Sequence, residues 1–215
     1  VDVNELYLKC MQGSITDSLT ATTVASYITS PFAIYCNKFV SENEEDEGTE
    51  YLKLLSQRGN EHESQTVHER YPEMEAIQYS NPEEGFKLAL NSMISGTNIL
   101  HGMPIYFLPK RIYGKADIIE KSNTNNSVFG DYHYTIKEVK LAKNIQQTHL
   151  IQGAFYNYLL GKIQNFTPKT FAMINGEREE SIHEYSEYES LLFDSIEGTQ
   201  KILQGEPISP THGSC

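Results

Sequence analysis

An acidic and a basic side chain stand two residues apart in residues 135–141, which read TIKEVKL. Side chains two apart on a β-strand point to the same face of the sheet. A strand here would therefore place Glu138 and Lys140 side by side. Asp117 joins them if its own segment, residues 110–120, forms a hairpin with this strand. The sequence thus predicts one cleft that holds two carboxylates and one ammonium group.

This set of groups suits the hydrolysis of a phosphodiester. That reaction uses a divalent cation, which neutralises developing charge and lowers the pKa of a bound water. Mg²⁺ prefers oxygen ligands and binds through one or two protein carboxylates, which Asp117 and Glu138 would supply. Lys140 would hold the attacking water or stabilise the pentacovalent phosphate. We therefore expect Mg²⁺ or Mn²⁺ as the cofactor.

The elements around these residues follow from hydrophobic periodicity and from helix and strand boundary signals. Residues 1–97 are predicted to be mainly helical, and Pro31 separates two short helices. Residues 98–205 are predicted to form the catalytic sheet and its helices. The predicted strands cover 98–108, 110–120, 131–141 and 170–174, and the predicted helices cover 51–71, 83–95, 145–163 and 182–204. We therefore expect one α/β or α+β domain over residues 1–215, with helices flanking a mixed sheet.

Three further motifs accompany the Glu-x-Lys triplet, which by itself is common on exposed strand faces. In chain order they are RGNEH (58–62), GKAD (114–117) and QGAFY (152–156), and the triplet EVK (138–140) precedes the last of them. Residues 54–160 thereby resemble the RecB-like branch of the PD-(D/E)XK nucleases, whose motifs are Gly-x-x-His, Gly-x-x-Asp, Glu-x-Lys and Gln-x-x-x-Tyr. That branch includes CRISPR-associated RecB-like exonucleases and the AddB nuclease domain.

The resemblance implies a restriction-endonuclease-like PD-(D/E)XK core and a metal-dependent DNA nuclease. Asp117, Glu138 and Lys140 would be catalytic, and the metal ligands would be His62, Asp117, Glu138 and Val139. The implied substrate is single-stranded DNA or a DNA end, cut exonucleolytically in repair, recombination or CRISPR adaptation. A helicase, a repair protein or a CRISPR-adaptation protein would be the partner.

Gln152 and Tyr156 lie four residues apart and therefore share one helix face. In the RecB-like branch this face contacts substrate or orients the catalytic lysine, so the resemblance implies a substrate-binding role for both side chains. Ordinary amphipathic packing of the helix explains the same spacing equally well.

The charge balance leaves two functions open. Seventeen basic against 29 acidic residues give a net charge of -12, which argues against broad binding of nucleic acid through Lys and Arg. A nuclease-like DNA-binding or scaffolding subunit with little or no activity is therefore the alternative to an enzyme. Lys110 and Arg111 stand beside the catalytic strands, whereas acidic residues concentrate in 42–50 and 177–189. We expect Lys110 and Arg111 to form a local basic rim that binds DNA.

Cysteine usage and hydropathy bear on cofactors and compartment. Many members of the resembled branch hold an iron–sulfur cluster, which usually needs four thiolates. This chain has Cys10, Cys36 and Cys215, and Ser30 stands where the first cluster cysteine is expected, so we expect no cluster. The N-terminus lacks a signal-peptide pattern, and no apolar stretch approaches the roughly 18 residues of a membrane helix. We expect a cytoplasmic protein without a membrane partner.

Overall fold

The computed structural model describes residues 1–40 and 50–208. The elements in those ranges are α1 (Val3–Cys10), α2 (Ala21–Thr29), α3 (Pro31–Phe39), α4 (Glu50–Arg70), α5 (Pro82–Ile94), β1 (Ile99–Phe107), β2 (Ile112–Ser122), β3 (His133–Val139), α6 (Gln147–Gln164), β4 (Thr170–Ile174), β5 (Glu180–Glu184) and α7 (Glu189–Leu203). This order confirms a mixed α/β fold in which helices precede the sheet. The acidic run of residues 41–50, for which the sequence favours an exposed loop, lies outside the described residues except for Glu50, where α4 begins.

The five strands form one mixed sheet in the order β1-β2-β3-β4-β5. β3 and β4 run parallel, and the other neighbouring pairs are antiparallel. A parallel pair needs a long crossover connection, and α6 provides it. The expected mixed sheet with flanking helices is confirmed, and so is the expected pairing of the strands that carry Asp117 and Glu138.

The two faces of the sheet are covered by different helices. On the face that we call the α6 face, Phe171 and Met173 pack against α6. Gly153 allows this close approach, because a Cβ there would lie 2.6 Å from Cε2 of Phe171. On the opposite face, which we call the α4 face, Val67 from α4 packs against a small group of sheet residues, namely Ile118, Val139 and Ile174.

The N-terminal helices begin where local capping predicts. Ser30 precedes Pro31, and its hydroxyl accepts a hydrogen bond of 3.2 Å from the N–H of Ala33. Proline at a first helical position lacks an N–H that would have no helical partner there. Pro31 therefore separates α2 from α3, as predicted. α2 packs on α6 and α7, and α1 packs on α5, so the N-terminal helices cover the same side of the domain as α6.

The prediction of one helix over residues 182–204 is wrong at its start. Residues 180–184 form β5, which pairs antiparallel with β4, and α7 begins only at Glu189. The turn before β5 is stabilised by Asn175, whose side-chain oxygen accepts hydrogen bonds of 2.9 Å from the N–H groups of Glu177 and Glu179. Pairing with an existing strand overrides the helix propensity of a glutamate-rich segment. Within the described residues, no helix is long and apolar enough to cross a membrane.

Candidate active site

Asp117 and Glu138 meet where the backbone pairing of β2 and β3 ends. The register runs from Ser122–His133 to Ile118–Lys137. One residue further, the N–H of Asp117 donates to Oε1 of Glu138 at 3.2 Å. The N–H of Val139 donates in turn to Oδ2 of Asp117 at 2.8 Å. Each carboxylate is therefore fixed by the backbone of the opposite strand, which places the two acids side by side.

Lys140 completes the set that the sequence predicts. Its Nζ donates to Oε2 of Glu138 at 3.1 Å, and the two side chains are 18% and 2% exposed. The backbone N–H of Lys140 donates to the carbonyl oxygen of Ile174 at 2.8 Å. Continued pairing with β4 thus keeps β3 extended beyond the point where it leaves β2. The structure brings Asp117, Glu138 and Lys140 together.

Burial makes this group of charges electrostatically unusual. Burial and the neighbouring Glu138 carboxylate raise the pKa of Asp117 well above its ordinary value. Burial also raises the pKa of Glu138, and Lys140 only partly opposes that rise. Burial would lower the pKa of Lys140, but the attraction of Glu138 and Asp117 raises it overall. Two acids with one ammonium group form a pocket that favours additional positive charge.

The donor atoms fit a hard divalent cation. Mg²⁺ commonly binds through one or two carboxylates together with water and substrate phosphate, and Asp117 and Glu138 offer oxygen atoms of that kind. Across residues 1–40 and 50–208, no three or more His, Cys, Asp or Glu side chains are grouped closely enough to hold a metal. A cation here would therefore need water or phosphate oxygens in addition to the protein ligands.

Helix α4 carries the histidine that the resemblance assigns to the metal. Nε2 of His62 lies 3.4 Å from the carbonyl oxygen of Asn175, at the end of β4. The next residue, Glu63, is partly buried, and its charge adds to the rise that burial causes in the pKa of Asp117 and of Glu138. A metal-ligand role for His62 stays a prediction, and Glu63 is a candidate that the motif comparison passed over.

Glu63 lies among positive groups. Its Oε1 lies 2.9 Å from Nε2 of His101 on β1. Burial alone would raise the pKa of Glu63, but the hydrogen bond and charge of His101, with Lys115 and Lys140, lower it overall. Glu63 therefore favours its ionised form. Glu63 directly follows the helical motif RGNEH. It lies four residues after Gly59 and therefore shares a helix face with that glycine, which is the signal that could have drawn attention to it.

Tyr156 connects α6 to the same site. A Cβ on Gly114 would lie 2.8 Å from Cε1 of Tyr156, so the Gly-x-x-Asp and Gln-x-x-x-Tyr motifs pack directly on each other. Burial, followed by the charges of Glu138 and Asp117, raises the pKa of Tyr156, which keeps its hydroxyl protonated. Gln152 lies one helical turn earlier and is partly buried.

A histidine, His149, lies in the first turn of α6. Nδ1 of His149 accepts a hydrogen bond of 3.2 Å from the N–H of Gln146. Burial, followed by the charge of Lys140, lowers the pKa of His149. A neutral ring that accepts at Nδ1 carries its proton on Nε2, so His149 can donate a hydrogen bond at the site.

The predicted basic rim lies away from the carboxylates. Lys110 and Arg111 are exposed in the β1–β2 turn, where Arg111 has a left-handed φ of 54°. Arg111 and Asp117 are six residues apart along the strand, which corresponds to about 20 Å. Lys115 is also exposed and is close enough to Glu63 to lower its pKa. That Lys110 and Arg111 bind DNA stays a prediction. Such a contact would lie several nucleotides away from Asp117 and Glu138.

The cysteine positions leave the iron–sulfur expectation untested. Cys10 is fully buried in α1, and burial raises the pKa of its thiol to about 12. Cys215 lies outside the described residues. Because a cluster is bound by thiolates, a buried thiol of raised pKa is a poor ligand.

Neither the known protein families nor the curated proteins give a match to this chain. The case for its function therefore rests on the order of the four motifs and on the geometry of Asp117, Glu138 and Lys140.

Proposed function

We propose that this protein is a divalent-metal-dependent DNA nuclease with a PD-(D/E)XK active site. One observation carries the proposal: Asp117, Glu138 and Lys140 meet at the point where β2 and β3 stop pairing. Packing of Gly114 against Tyr156 supports it, because two of the four motifs thereby adjoin the same site.

The proposed role of each residue follows from its charge. Asp117 and Glu138 would hold Mg²⁺ or Mn²⁺. A bound divalent cation would neutralise developing phosphate charge and ease deprotonation of the attacking water. The raised pKa of Lys140 keeps its amine protonated, so it acts as a hydrogen-bond donor to water or phosphate rather than as a base.

The proposed substrate is single-stranded DNA or a DNA end, and Lys110 and Arg111 would contact its backbone at a distance from the cut. We place the activity in DNA repair, recombination or CRISPR adaptation, with a helicase or another protein of those systems as partner. A cytoplasmic location and the absence of a resident iron–sulfur cluster belong to the same proposal.

Cleavage of end-labelled single-stranded and duplex DNA, with Mg²⁺, with Mn²⁺ and with chelator, tests the proposal. Removing the Lys140 donor by Lys140→Ala should lower turnover on the order of 10²–10³-fold while DNA affinity changes little. Lys143→Ala is the matched control, since Lys143 is 70% exposed and pairs with Glu177 on the surface. Cleavage that persists in chelator, or equal turnover in the two variants, would contradict the proposed mechanism.

A nuclease-like DNA-binding or scaffolding subunit is the second candidate. It is favoured by the net charge of -12. Wild-type protein that binds single-stranded DNA but leaves it uncut with either metal would support this alternative.

A further inference from the structure

β5 lies at the outside of the sheet, and within residues 1–40 and 50–208 no strand pairs with its outer edge. Its inner edge pairs antiparallel with β4. The hydrogen-bonded pairs of this ladder continue to Lys169–Tyr185, where the N–H of Tyr185 donates to the carbonyl oxygen of Lys169 at 2.8 Å. Such pairs recur at every second residue, so the odd-numbered residues of β5 bond to β4. The even-numbered ones direct their backbone N–H and C=O groups outward, namely Glu180, Ile182 and Glu184.

The side chains of these three residues form an acidic-apolar-acidic row. Alternate side chains of a strand share one face of the sheet, and here it is the α4 face. Ile182 borders a cavity of about 160 Å³ on that face, which is lined only by strand residues, among them Thr135 and Ala172. Ile182 is 70% exposed. An exposed apolar side chain on an unpaired edge favours association with another strand, so this edge is suited to bind one.

The charge around this edge selects the kind of strand that fits. Residues 177–189 contain six glutamates and one arginine. Glu180 already contacts Arg70 and Lys137, so the main attraction for an added cation comes from the exposed Glu184. Opposite charges on directly facing residues stabilise a strand pair. The edge therefore fits a strand that places a cationic side chain opposite Glu184 and an apolar one opposite Ile182.

A second copy of this chain fits the edge poorly. Two copies of β5 paired antiparallel about Ile182 would set Glu184 opposite Glu180 of the second copy, and like charges on facing residues destabilise a strand pair. The pairing would also bring together two segments that each carry six glutamates and one arginine. The acidic residues thus disfavour self-association and favour a basic partner.

We propose that the outer edge of β5 is a docking site for an extended segment of another protein, which pairs antiparallel with β5 and alternates cationic with apolar side chains on the α4 face. Main-chain hydrogen bonds to Glu180, Ile182 and Glu184 provide affinity, and the facing side chains provide specificity. Antiparallel pairing is chosen because it is slightly more stable per residue than parallel pairing. The inference is independent of the proposed nuclease activity.

Fluorescence anisotropy of a labelled peptide, TKTITKT with blocked termini, titrated with the whole protein tests this pairing. In the proposed register the lysines and the isoleucine of the peptide face the outward-directed residues of β5, and their N–H groups donate to β5. N-methylation of those amides should weaken binding at least about tenfold, because it removes these hydrogen bonds. N-methylation of an equal number of threonine amides leaves the charge the same and should change the Kd little. Equal effects of the two modifications, or no binding of the unmodified peptide, would overturn the inference.

Variants of exposed residues locate the contact on β5. Ile182→Thr and Glu184→Lys should each raise the Kd of the peptide about 3–10-fold, because each removes one favourable cross-strand pair. Ile15→Thr is the matched control for the first, since Ile15 is 51% exposed elsewhere, and should leave the Kd unchanged. Glu187→Lys makes the same charge change just after β5 and should raise the Kd less than Glu184→Lys does. Equal effects of the two lysine variants would mean that the peptide is attracted by acidic charge in general, which overturns the inference.

Sedimentation of the wild-type protein and of Ile182→Thr tests the second copy as the occupant. We expect no self-association that depends on Ile182. A wild-type dimer that Ile182→Thr dissociates would show that β5 pairs with itself and would overturn the proposal of a basic partner strand.

Discussion

The α6 face and the α4 face of the sheet support the same site in different ways. On the α6 face, fully buried side chains of the sheet and of α6 form one continuous apolar cluster, among them Ile119, Ile136, Phe171, Ile151 and Phe155. The apolar cluster of the α4 face has four buried members, Val67, Ile118, Val139 and Ile174. Ion pairs supplement it, including Arg70–Glu180 and Lys137–Glu120, each at 2.8 Å.

Because of this difference, α6 and α4 differ in how rigidly they hold their side chains at the site. Dense apolar packing fixes the geometry of a site to a fraction of an ångström, and α6 carries Tyr156 in such packing. Regions with few buried apolar contacts open locally at lower free energy, and α4 carries Glu63 in such a region. We infer that Asp117, Glu138 and Lys140 are held rigidly, whereas the α4 side can adjust when a cation binds.

The largest expected effect comes from removing a side chain on the α6 face. Phe171→Ala should lower the free energy of unfolding by about 3–5 kcal/mol, because it opens a cavity beneath Gly153. The matched change on the α4 face, Val67→Ala, should cost about 2 kcal/mol, since it removes less volume from a smaller cluster. Urea unfolding followed by circular dichroism measures both. Equal losses from the two substitutions would show that the faces do not differ in packing.

A smaller effect is expected at the site itself, and it depends on pH. The pKa of Asp117 is raised in the folded state by burial and by Glu138. Asp117 therefore loses its proton at a lower pH in the unfolded chain than in the folded protein. As a result, the free energy of unfolding falls as the pH rises from about 4, the ordinary aspartate pKa, through the raised pKa of the folded state. Asp117→Asn removes this penalty and should make the protein more stable than wild type at neutral pH, at the expense of activity.

Unfolding measured between pH 3 and pH 8, with chelator present, checks this expectation. The stabilisation should disappear below about pH 4, where the aspartate is protonated in both states. A pH-independent difference between Asp117→Asn and wild type would mean that the effect arises from packing rather than from charge.

The smallest expected effect concerns the ion pairs of the α4 face. Glu180 contacts both Arg70 and Lys137, so Glu180→Gln weakens two pairs at once. Partly exposed pairs contribute about 1 kcal/mol or less, and salt screens them. The loss of stability should therefore be measurable at low salt and absent in about 1 M salt. Glu197→Gln, which removes the single exposed pair with Lys201 on α7, serves as the control and should lower stability at low salt less than Glu180→Gln does. A loss in Glu180→Gln that persists at high salt would show that this face depends on packing instead.

Much of the site was predictable because it depends on local spacing. Alternation along a strand placed Glu138 and Lys140 on one face, and two adjacent strand patterns joined by a turn-rich loop predicted the hairpin that adds Asp117. Helical periodicity located α6 and therefore Tyr156. Each of these inferences needs only the repeat of one element and the connection to its neighbour.

Other features depended on long-range contacts. An Asn-Gly pair at 175–176 was a turn signal for the hairpin of β4 and β5, but the glutamates after it favoured a helix. Strand pairing decided between the two. Whether His62 or Glu63 faces the carboxylates depends on the rotation of α4 about its axis. That rotation is set by Val67 against the sheet and by His101 on β1.

The sequence by itself predicted a mixed sheet with flanking helices and the strand pair on which two carboxylates and a lysine, the residues proposed to carry the chemistry, converge. The tertiary structure decided that Glu63 of α4 contacts His101 on β1, that a fifth strand pairs at the sheet edge, and that Lys110 and Arg111 lie far along the hairpin. The reason is physical: the repeat of a strand fixes the direction of a side chain within that strand. The rotation of a helix and the partner of an edge strand are instead set by contacts between segments that are distant in the chain. A local sequence pattern carries no information about the free energy of those contacts.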